Sequence, residues 1–300
     1  MSYSQLKDIP YTDIAFWRSM CPNLTVTEDV AIAQNSDVNQ NLREEDWQQC
    51  KQLICEDGYF AYESFLNHDL VDRLADGLSI LDGRKIPPVF CFLFDEYWQV
   101  LQQLRPMLSD LLGDYKLLPA VWAWIVKATD QTGFAPHRDV TRDTSIDNPN
   151  HLDYLTIWIP LTDLNHLSSS IHVLPASMDP NYDKNTQRTD VDNLQHIRSL
   201  QVSKGSVLSW AVGLTHWGST QSKHGEPRMS IGYYVQKASA ECVDGPPVDL
   251  NVPFSLQQRL SMVGDQILNY SRNRDMVLIN FAKTLVELGD GSQQNGTPVF

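Results

Sequence analysis

Two residues with metal-binding side chains stand two positions apart near the middle of the chain. His137 and Asp139 lie in the stretch APHRD. On an extended segment, residues i and i+2 point to the same face, so this imidazole and this carboxylate are predicted to converge. A second histidine, His216, follows a predicted strand over residues 206–212. Two histidines and one carboxylate are the ligand set of the non-haem iron(II) facial triad, which leaves further metal positions open.

The His-x-Asp pair alone is weak evidence for a metal site. It also fits a surface turn in which Asp139 caps a backbone amide, and His216 alone also fits a hydrogen-bonded structural histidine. The order of the charged residues around them favours the metal. Lys127 stands on a predicted strand ten positions before His137, and Arg228 opens a predicted strand twelve positions after His216.

The other histidines and the cysteines carry weaker signals. Structural or surface roles are predicted for His151, His166, His172, His196 and His224. The five cysteines are scattered without a C-x-x-C pair, which indicates reduced thiols and no zinc site. The sequence contains no Gly-x-Ser-x-Gly elbow, Walker loop or dinucleotide glycine fingerprint. It therefore predicts neither a hydrolase nor a nucleotide-binding function.

Two changes in the spacing and type of apolar residues predict the secondary-structure elements that position these residues. Up to about residue 116 the apolar spacing is mostly helical, and Asn67 is predicted to cap one helix. Runs rich in β-branched and aromatic residues then predict strands over residues 121–128, 154–160, 170–175, 206–212 and 229–236. Helical spacing returns between residues 255 and 288. The predicted fold is mainly β, an antiparallel core with flanking helices from both ends of the chain.

We predict a single domain with four parts. These are a mostly helical part (1–116), a β-core (117–240), C-terminal helices (241–288) and a flexible tail (289–300). The long polar segments 141–153 and 179–198 are predicted to form the mouth of a site, because loops of this length often bind ligands.

Charge and hydropathy exclude several partners. The chain has 23 basic and 37 acidic residues and a net charge of −14, so a phosphate backbone would be repelled and no nucleic acid partner is expected. No run approaches the roughly 20 apolar residues of a membrane span, and the N-terminus lacks a signal-peptide core. The expectation is a soluble cytoplasmic protein without a membrane partner.

The order of several segments resembles the phytanoyl-CoA dioxygenase family of iron(II)- and 2-oxoglutarate-dependent oxygenases. The resemblance extends from about Glu56 to Gln236. The segments that carry it are EDGY (56–59), IVK (125–127), HRD (137–139), WIPL (158–161), IHVLPAS (171–177) and KGSVL (204–208), followed by His216 and Arg228. SSS at 168–170 departs from the family's Asn-Gly turn, and ASM at 176–178 departs from its Gly-Ser-His ending. Asp139 is present where related halogenases lack the carboxylate, so halogenation is disfavoured.

This resemblance implies a double-stranded β-helix, a jelly-roll-like barrel, with iron(II) bound by His137, Asp139 and His216 near its open end. It also implies that Arg228 holds the distal carboxylate of 2-oxoglutarate. The chemistry agrees, because a guanidinium offers a planar fork that matches a carboxylate. A solvated cation at the start of a strand is the ordinary alternative for Arg228.

Three further residues are predicted to lie beside the co-substrate. Ser230 points the same way as Arg228 and adds a hydroxyl donor; Trp158 walls the site, and Lys127 contributes positive charge. Each has an ordinary alternative: a plain polar strand residue, a core tryptophan and a solvated edge-strand lysine.

The resemblance implies an enzyme that uses O2, iron(II) and 2-oxoglutarate to hydroxylate an unactivated C–H bond of a small-molecule metabolite, for example a natural-product intermediate. Succinate and carbon dioxide are the co-products. Desaturation, epoxidation and cyclisation fit the same residues. Two other functions stay open: a non-catalytic cupin-like protein that binds a ligand or metal, and a cupin-type metalloenzyme that does not use 2-oxoglutarate.

Overall fold

The fold combines antiparallel sheets with a shell of helices. The computed structural model describes residues 9–32, 44–127, 134–139, 153–182, 189, 191, 193–222, 224–241, 246–270 and 276–290. The helices in these residues are α1 (Ile14–Met20), α2 (Glu44–Glu56), α3 (His68–Gly83), α4 (Asp95–Leu112), α5 (Leu256–Tyr270) and α6 (Met276–Asp290). Asn67 caps α3 as predicted, and its Oδ1 accepts from the backbone N–H of Leu70 at 3.2 Å.

Two sheets hold most of the described strands. In chain order the strands are β1 (Asp29–Val30), β2 (Tyr59–Tyr62), β3 (Tyr115–Val126), β4 (Tyr154–Pro160), β5 (Ile171–Leu174), β6 (Arg198–Leu200), β7 (Val207–Ala211), β8 (Thr215–Gly218), β9 (Arg228–Lys237) and β10 (Phe254–Ser255). The larger sheet has the order β2-β7-β4-β9-β3, and the smaller has the order β6-β5-β8. All pairings are antiparallel, including the short pair β1-β10.

The predicted fold class, a double-stranded β-helix with flanking helices, is confirmed. The structure differs in detail at β3, which begins at Tyr115, and in the short strands β6 and β8, which the sequence patterns did not predict. β8 has the sequence THWG, which lacks a clear alternation of polar and apolar residues. It forms because the backbone of β5 pairs with it.

Alternate residues of the larger sheet face two different environments. Ile157 and Ile231 pack into the large core that the helices cover, whereas Trp158 belongs to a smaller cluster inside the barrel. Gly232 lies opposite Trp158 and also pairs with Trp122. A Cβ at Gly232 would stand 2.3 Å from Cε2 of Trp122. The glycine therefore lets the indole lie across the inner face of the sheet.

The C-terminal helices close one side of the barrel. α5 packs against α6, β3 and the 3₁₀ helix Pro88–Leu93. The buried guanidinium of Arg259 on α5 donates to Asp95 at the start of α4, so helices from the two ends of the chain are joined. Among the helices that the structure describes, none combines the length and apolar character needed to cross a membrane.

Candidate metal centre and cavity

The three predicted metal ligands converge on one point. Backbone hydrogen bonds in both directions pair His137 with His216, at 3.1 and 2.9 Å, and the N–H of Asp139 donates to the carbonyl of Val212 at 3.0 Å. Oδ1 of Asp139 lies 3.6 Å from Nε2 of His137 and 3.5 Å from Nε2 of His216. One ligand atom from each side chain falls within 4.8 Å of the others, as a shared cation requires.

Each imidazole is oriented by a backbone carbonyl two residues earlier in the chain. Nδ1 of His137 lies 2.7 Å from the carbonyl oxygen of Ala135, and Nδ1 of His216 lies 3.0 Å from that of Leu214. A carbonyl only accepts, so each Nδ1 carries a proton, and in the neutral imidazole Nε2 then keeps its lone pair. This second hydrogen bond is how proteins fix the tautomer of a metal-binding histidine.

The carboxylate of Asp139 is held in the same way. Its Oδ2 accepts from Oγ1 of Thr156 at 2.7 Å and from Nε1 of Trp210 at 2.9 Å. Thr156 is on β4 and Trp210 is on β7, so neighbouring strands of the larger sheet orient it. Oδ1 is thereby left facing the two histidines. The sequence analysis missed Thr156 and Trp210; a threonine within an otherwise apolar strand was the available signal.

The ionisation of these groups suits a cation. Burial alone would raise the pKa of Asp139, but His216, His137 and the hydrogen bond from Thr156 together hold it well below its usual range. Burial lowers the pKa of His216 in spite of the nearby Asp139. The site therefore offers an ionised carboxylate and a neutral imidazole near neutral pH, the protonation states that metal binding needs.

A second buried carboxylate joins the two segments that carry the predicted metal ligands. Oδ2 of Asp179 accepts from Nη2 of Arg138 at 2.8 Å and from Oγ1 of Thr215 at 3.0 Å. Arg138 stands between the first two ligands, and Thr215 directly precedes His216. Both side chains of the ion pair are almost inaccessible. Asp179 was predicted as the start of a polar loop at the mouth, but its carboxylate is buried.

Arg228 lies inside the barrel without a carboxylate partner in the described part of the chain. It is 3% exposed; its Nη1 donates to Oγ of Ser169 at 3.0 Å, and its Cζ lies 5.7 Å from the ring centroid of Trp158. Its Nε has no hydrogen-bond partner among these residues. Burial lowers its pKa to about 10, so the group stays charged at neutral pH. The alternative of a solvated surface cation is wrong.

The other predicted co-substrate residues take different positions. Ser230 is fully buried two residues beyond Arg228, and its Oγ has no hydrogen-bond partner in the described residues. Trp158 is buried and lines the cavity described below. Lys127 also lines that cavity, where its ammonium group forms an ion pair with Asp82 of α3. Ser169, from the triple-serine segment, is a contact of Arg228 that the sequence analysis did not identify.

A cavity of about 900 Å³ lies inside the barrel. All three predicted metal ligands and Arg228 line it. Its walls are rich in aromatic side chains, which are Trp122, Trp124, Phe134, Trp158, Trp210, Trp217, Tyr234 and Tyr270. Helices α5 and α6 contribute further lining residues. The volume is within the usual range for small-molecule sites, roughly 300–1,000 Å³.

Comparisons with known proteins identify solved structures that share this fold. No protein-family model matches the sequence, and no curated protein matches it. Solved structures do match in fold. The epimerase SnoN, in complex with Fe³⁺, α-ketoglutarate and nogalamycin RO, is 13% identical with a TM-score of 0.54, over 70% of this chain and 89% of its own.

Two further structures have the same fold. SnoK, a non-haem α-ketoglutarate-dependent carbocyclase from nogalamycin biosynthesis, is 14% identical with a TM-score of 0.54, over 72% of this chain and 97% of its own. HygX from Streptomyces hygroscopicus, with nickel and 2-oxoglutarate bound, is 16% identical with a TM-score of 0.50, over 66% of this chain and 88% of its own. The chain thus shares its fold with non-haem, α-ketoglutarate-dependent enzymes.

Proposed function

We propose that this protein is an iron(II)- and 2-oxoglutarate-dependent dioxygenase of the phytanoyl-CoA dioxygenase type, which hydroxylates an unactivated C–H bond of a small-molecule metabolite. The observation that carries the proposal is one cavity lined by a His-Asp-His cluster and by a buried arginine that has no counter-ion among the described residues. The two features suit different ligands: the cluster suits a divalent cation, and the arginine suits an anion.

The cluster fits iron(II). His137, Asp139 and His216 supply the two imidazoles and one carboxylate of the facial triad, and three protein ligands leave positions open on an octahedral ion. Bound there with 2-oxoglutarate, iron supplies the activation of dioxygen that yields succinate and carbon dioxide. The protein keeps both Nε2 lone pairs and Oδ1 directed at one point through Ala135, Leu214, Thr156 and Trp210.

The arginine fits the distal carboxylate of 2-oxoglutarate. Burying an unpaired charge is costly, and the Nε of Arg228 and the hydroxyl of Ser230 are two donors without partners in the described residues. A carboxylate between them would accept from both. Trp158 packs beside the guanidinium and helps to exclude water from the pair. The ion pair of Lys127 with Asp82 makes Lys127 the weaker candidate for this contact.

The fold neighbours support these ligands and also bear on the reaction. Fe³⁺ with α-ketoglutarate is bound to SnoN, and nickel with 2-oxoglutarate is bound to HygX. SnoN is an epimerase and SnoK is a carbocyclase, so the fold accommodates several outcomes. We propose hydroxylation because it requires of the protein only that it hold a C–H bond beside the metal.

The test is succinate formation from 2-oxoglutarate in the presence of iron(II) and air. We expect Asp139→Ala and His216→Ala each to retain less than about a tenth of wild-type turnover, since even the loss of outer contacts of a metal ligand costs about 10–100-fold. Circular dichroism should show an intact fold. His68→Ala, an exposed histidine at the start of α3, is the control and should keep full activity.

Anaerobic addition of iron(II) and 2-oxoglutarate separates the proposal from its rivals. A weak visible charge-transfer band that forms only with both additions supports chelation of the co-substrate to the metal. A cupin-type metalloenzyme without 2-oxoglutarate would bind iron but give no such band. A non-catalytic binding protein would form no succinate in air.

A further inference from the structure

Three aromatic side chains form one wall of the cavity next to the metal cluster. Phe134 lies 5.0 Å from Trp124 and 5.8 Å from Tyr270 between ring centroids, and Trp124 lies 5.7 Å from Tyr270. The ring of Phe134 is also 5.2 Å from that of His137. Strand β3, the segment before His137 and the end of α5 thus meet in a single aromatic wall, which we call the Trp124 wall.

A buried amide lines the same cavity. Gln266 on α5 is 3% exposed, and its Nε2 donates to the carbonyl of Pro119 at 3.3 Å. This contact fixes the orientation of the amide, because a carbonyl only accepts and the NH₂ group must face it. Oε1 is then left with no hydrogen-bond partner in the described residues. A buried acceptor without a donor is costly, and because Gln266 lines the cavity, a ligand bound there is placed to supply that donor.

The charges of the lining argue against a strongly anionic substrate. In the described part of the chain, the basic residues of the lining are Arg228 and Lys127. The proposed function assigns Arg228 to 2-oxoglutarate, and Asp82 neutralises Lys127. A coenzyme A thioester, with several phosphate charges, would find little compensation on these walls.

We propose that the Trp124 wall and Gln266 form the substrate site, and that it takes a neutral molecule with flat rings and a hydroxyl group. The rings pack on Trp124, Phe134 and Tyr270 in the offset or edge-to-face arrangements that aromatic pairs prefer. The hydroxyl donates to Oε1 of Gln266. This inference rests on the proposed function, since it assigns the space beside the metal that the co-substrate does not fill.

Calorimetric titration with two neutral probes tests the hydrogen bond. 2-Naphthol carries the ring system and the donor, and 2-methoxynaphthalene carries the same rings without a donor. The protein is loaded with nickel(II) and 2-oxoglutarate. We expect the wild type to prefer 2-naphthol by about three- to tenfold, the value of one ordinary hydrogen bond. Gln266→Met keeps the length of the side chain but removes the acceptor, and it should lose this preference.

The aromatic contact is tested with Tyr270→Leu. We expect both probes to bind it about three- to tenfold more weakly than the wild type, because an apolar side chain remains but the ring is lost. Tyr62→Leu is the matched control. Tyr62 stacks on Trp47, with ring centroids 5.5 Å apart, and is not a lining residue of the cavity, so both affinities should stay at wild-type values.

Three results would overturn the inference: neither probe binds, octanoyl-coenzyme A binds as tightly as 2-naphthol, or Gln266→Met keeps the full preference for 2-naphthol. The inference and the proposed function fail separately. Probe binding is measured without turnover, whereas succinate formation reports the metal chemistry. Loss of the probe preference with normal succinate formation rejects only the substrate site, and probe binding without any succinate rejects the dioxygenase.

Discussion

Two buried arginines differ in whether the protein gives them a carboxylate partner. Arg259, in the helical shell, is fully buried, and it donates to Asp95 at 3.0 Å and to the backbone carbonyls of Leu93 and Thr27. Arg228, inside the barrel, is 3% exposed and has no carboxylate within 4 Å in the described residues. The protein itself supplies a carboxylate partner to the first guanidinium, and we propose that a ligand supplies one to the second.

The difference shows how stability and function divide between the two regions. Burial lowers the pKa of both arginines, but near Arg259 the charge of Asp95 opposes the effect, whereas burial alone acts on Arg228. A charge buried without a partner destabilises a protein unless something binds to it. On the proposed function, the helical shell contributes stability, whereas the barrel interior gives up some stability for the anion site that we propose at Arg228.

The largest expected effect is the loss of co-substrate binding in Arg228→Met. Removing one partner of a buried pair costs about 3–5 kcal/mol, so the affinity for 2-oxoglutarate should fall by about 100-fold or more. Iron affinity should hardly change, since Arg228 is not one of the proposed metal ligands. The stability of the protein without ligands should not fall, because the variant removes an unpaired charge. Calorimetry and urea unfolding measure these quantities.

Pyruvate makes this prediction specific to one contact. It has the chelating 2-oxo acid group but lacks the distal carboxylate, so the wild type should prefer 2-oxoglutarate and Arg228→Met should lose most of that preference. The two proteins and two co-substrates form a double-mutant cycle. If the variant kept the full preference, the distal carboxylate would bind elsewhere, and Lys127 would become the leading candidate.

Arg259→Met is the opposite experiment on the helical shell. It leaves the buried carboxylate of Asp95 without its cation, and we expect the free energy of unfolding to fall by about 3–5 kcal/mol. The affinity for 2-oxoglutarate, measured below the unfolding range, should match the wild type. A large loss of affinity with little loss of stability would contradict the division between the two regions.

An intermediate effect is expected for Asp179→Asn, because Asp179 is paired with an arginine and its contacts, Arg138 and Thr215, are neighbours of the proposed metal ligands. The variant removes the charge that holds Arg138 and weakens the contact with Thr215. We expect cobalt(II) to bind about 10–100-fold more weakly, with a changed visible spectrum.

Asp95→Asn is the matched control for Asp179→Asn, since it removes another buried aspartate paired with an arginine. It should be destabilised but should bind cobalt(II) with wild-type affinity and spectrum. Equal cobalt affinities in the two variants would mean that Asp179 is only structural.

The sequence predicted the parts of the site that follow from local spacing. The His-x-Asp pair shares a face on any extended segment, and the resemblance supplied His216 and Arg228 in order. Strands β3, β4, β7 and β9 of the larger sheet were predicted because their β-branched and aromatic runs are continuous. The antiparallel β-core with flanking helices followed from the same runs, and the resemblance implied that this core is a double-stranded β-helix.

The missed residues depend on contacts between segments far apart in the chain. Ser169 meets Arg228 across 59 positions, and Asp179 meets Arg138 across 41. Gln266 is one polar residue on an amphipathic helix. No local pattern predicts that it contacts the carbonyl of Pro119 or that its Oε1 lacks a partner among the described residues. Such roles are set by the register of the sheet and by how the C-terminal helices pack on it.

The smallest effects are expected for Ser230→Ala. This variant should make the ligand-free protein more stable but should bind 2-oxoglutarate more weakly. The hydroxyl of Ser230 is buried and lacks a partner in the described residues, so its removal should raise the stability of the ligand-free protein by up to about 1 kcal/mol. The same change removes a donor to the distal carboxylate, and the affinity for 2-oxoglutarate should fall by about three- to tenfold.

Ser209→Ala separates these two effects. Ser209 is equally buried, and its hydroxyl also lacks a partner in the described residues. It lies opposite Ile157 of β4, however, and therefore on the face of the sheet that the helices cover. It should show the gain in stability without any loss of 2-oxoglutarate affinity. If Ser230→Ala lowered the stability of the ligand-free protein, its hydroxyl would already be satisfied without the co-substrate. Arg228 would then be the only one of the two residues that the distal carboxylate needs.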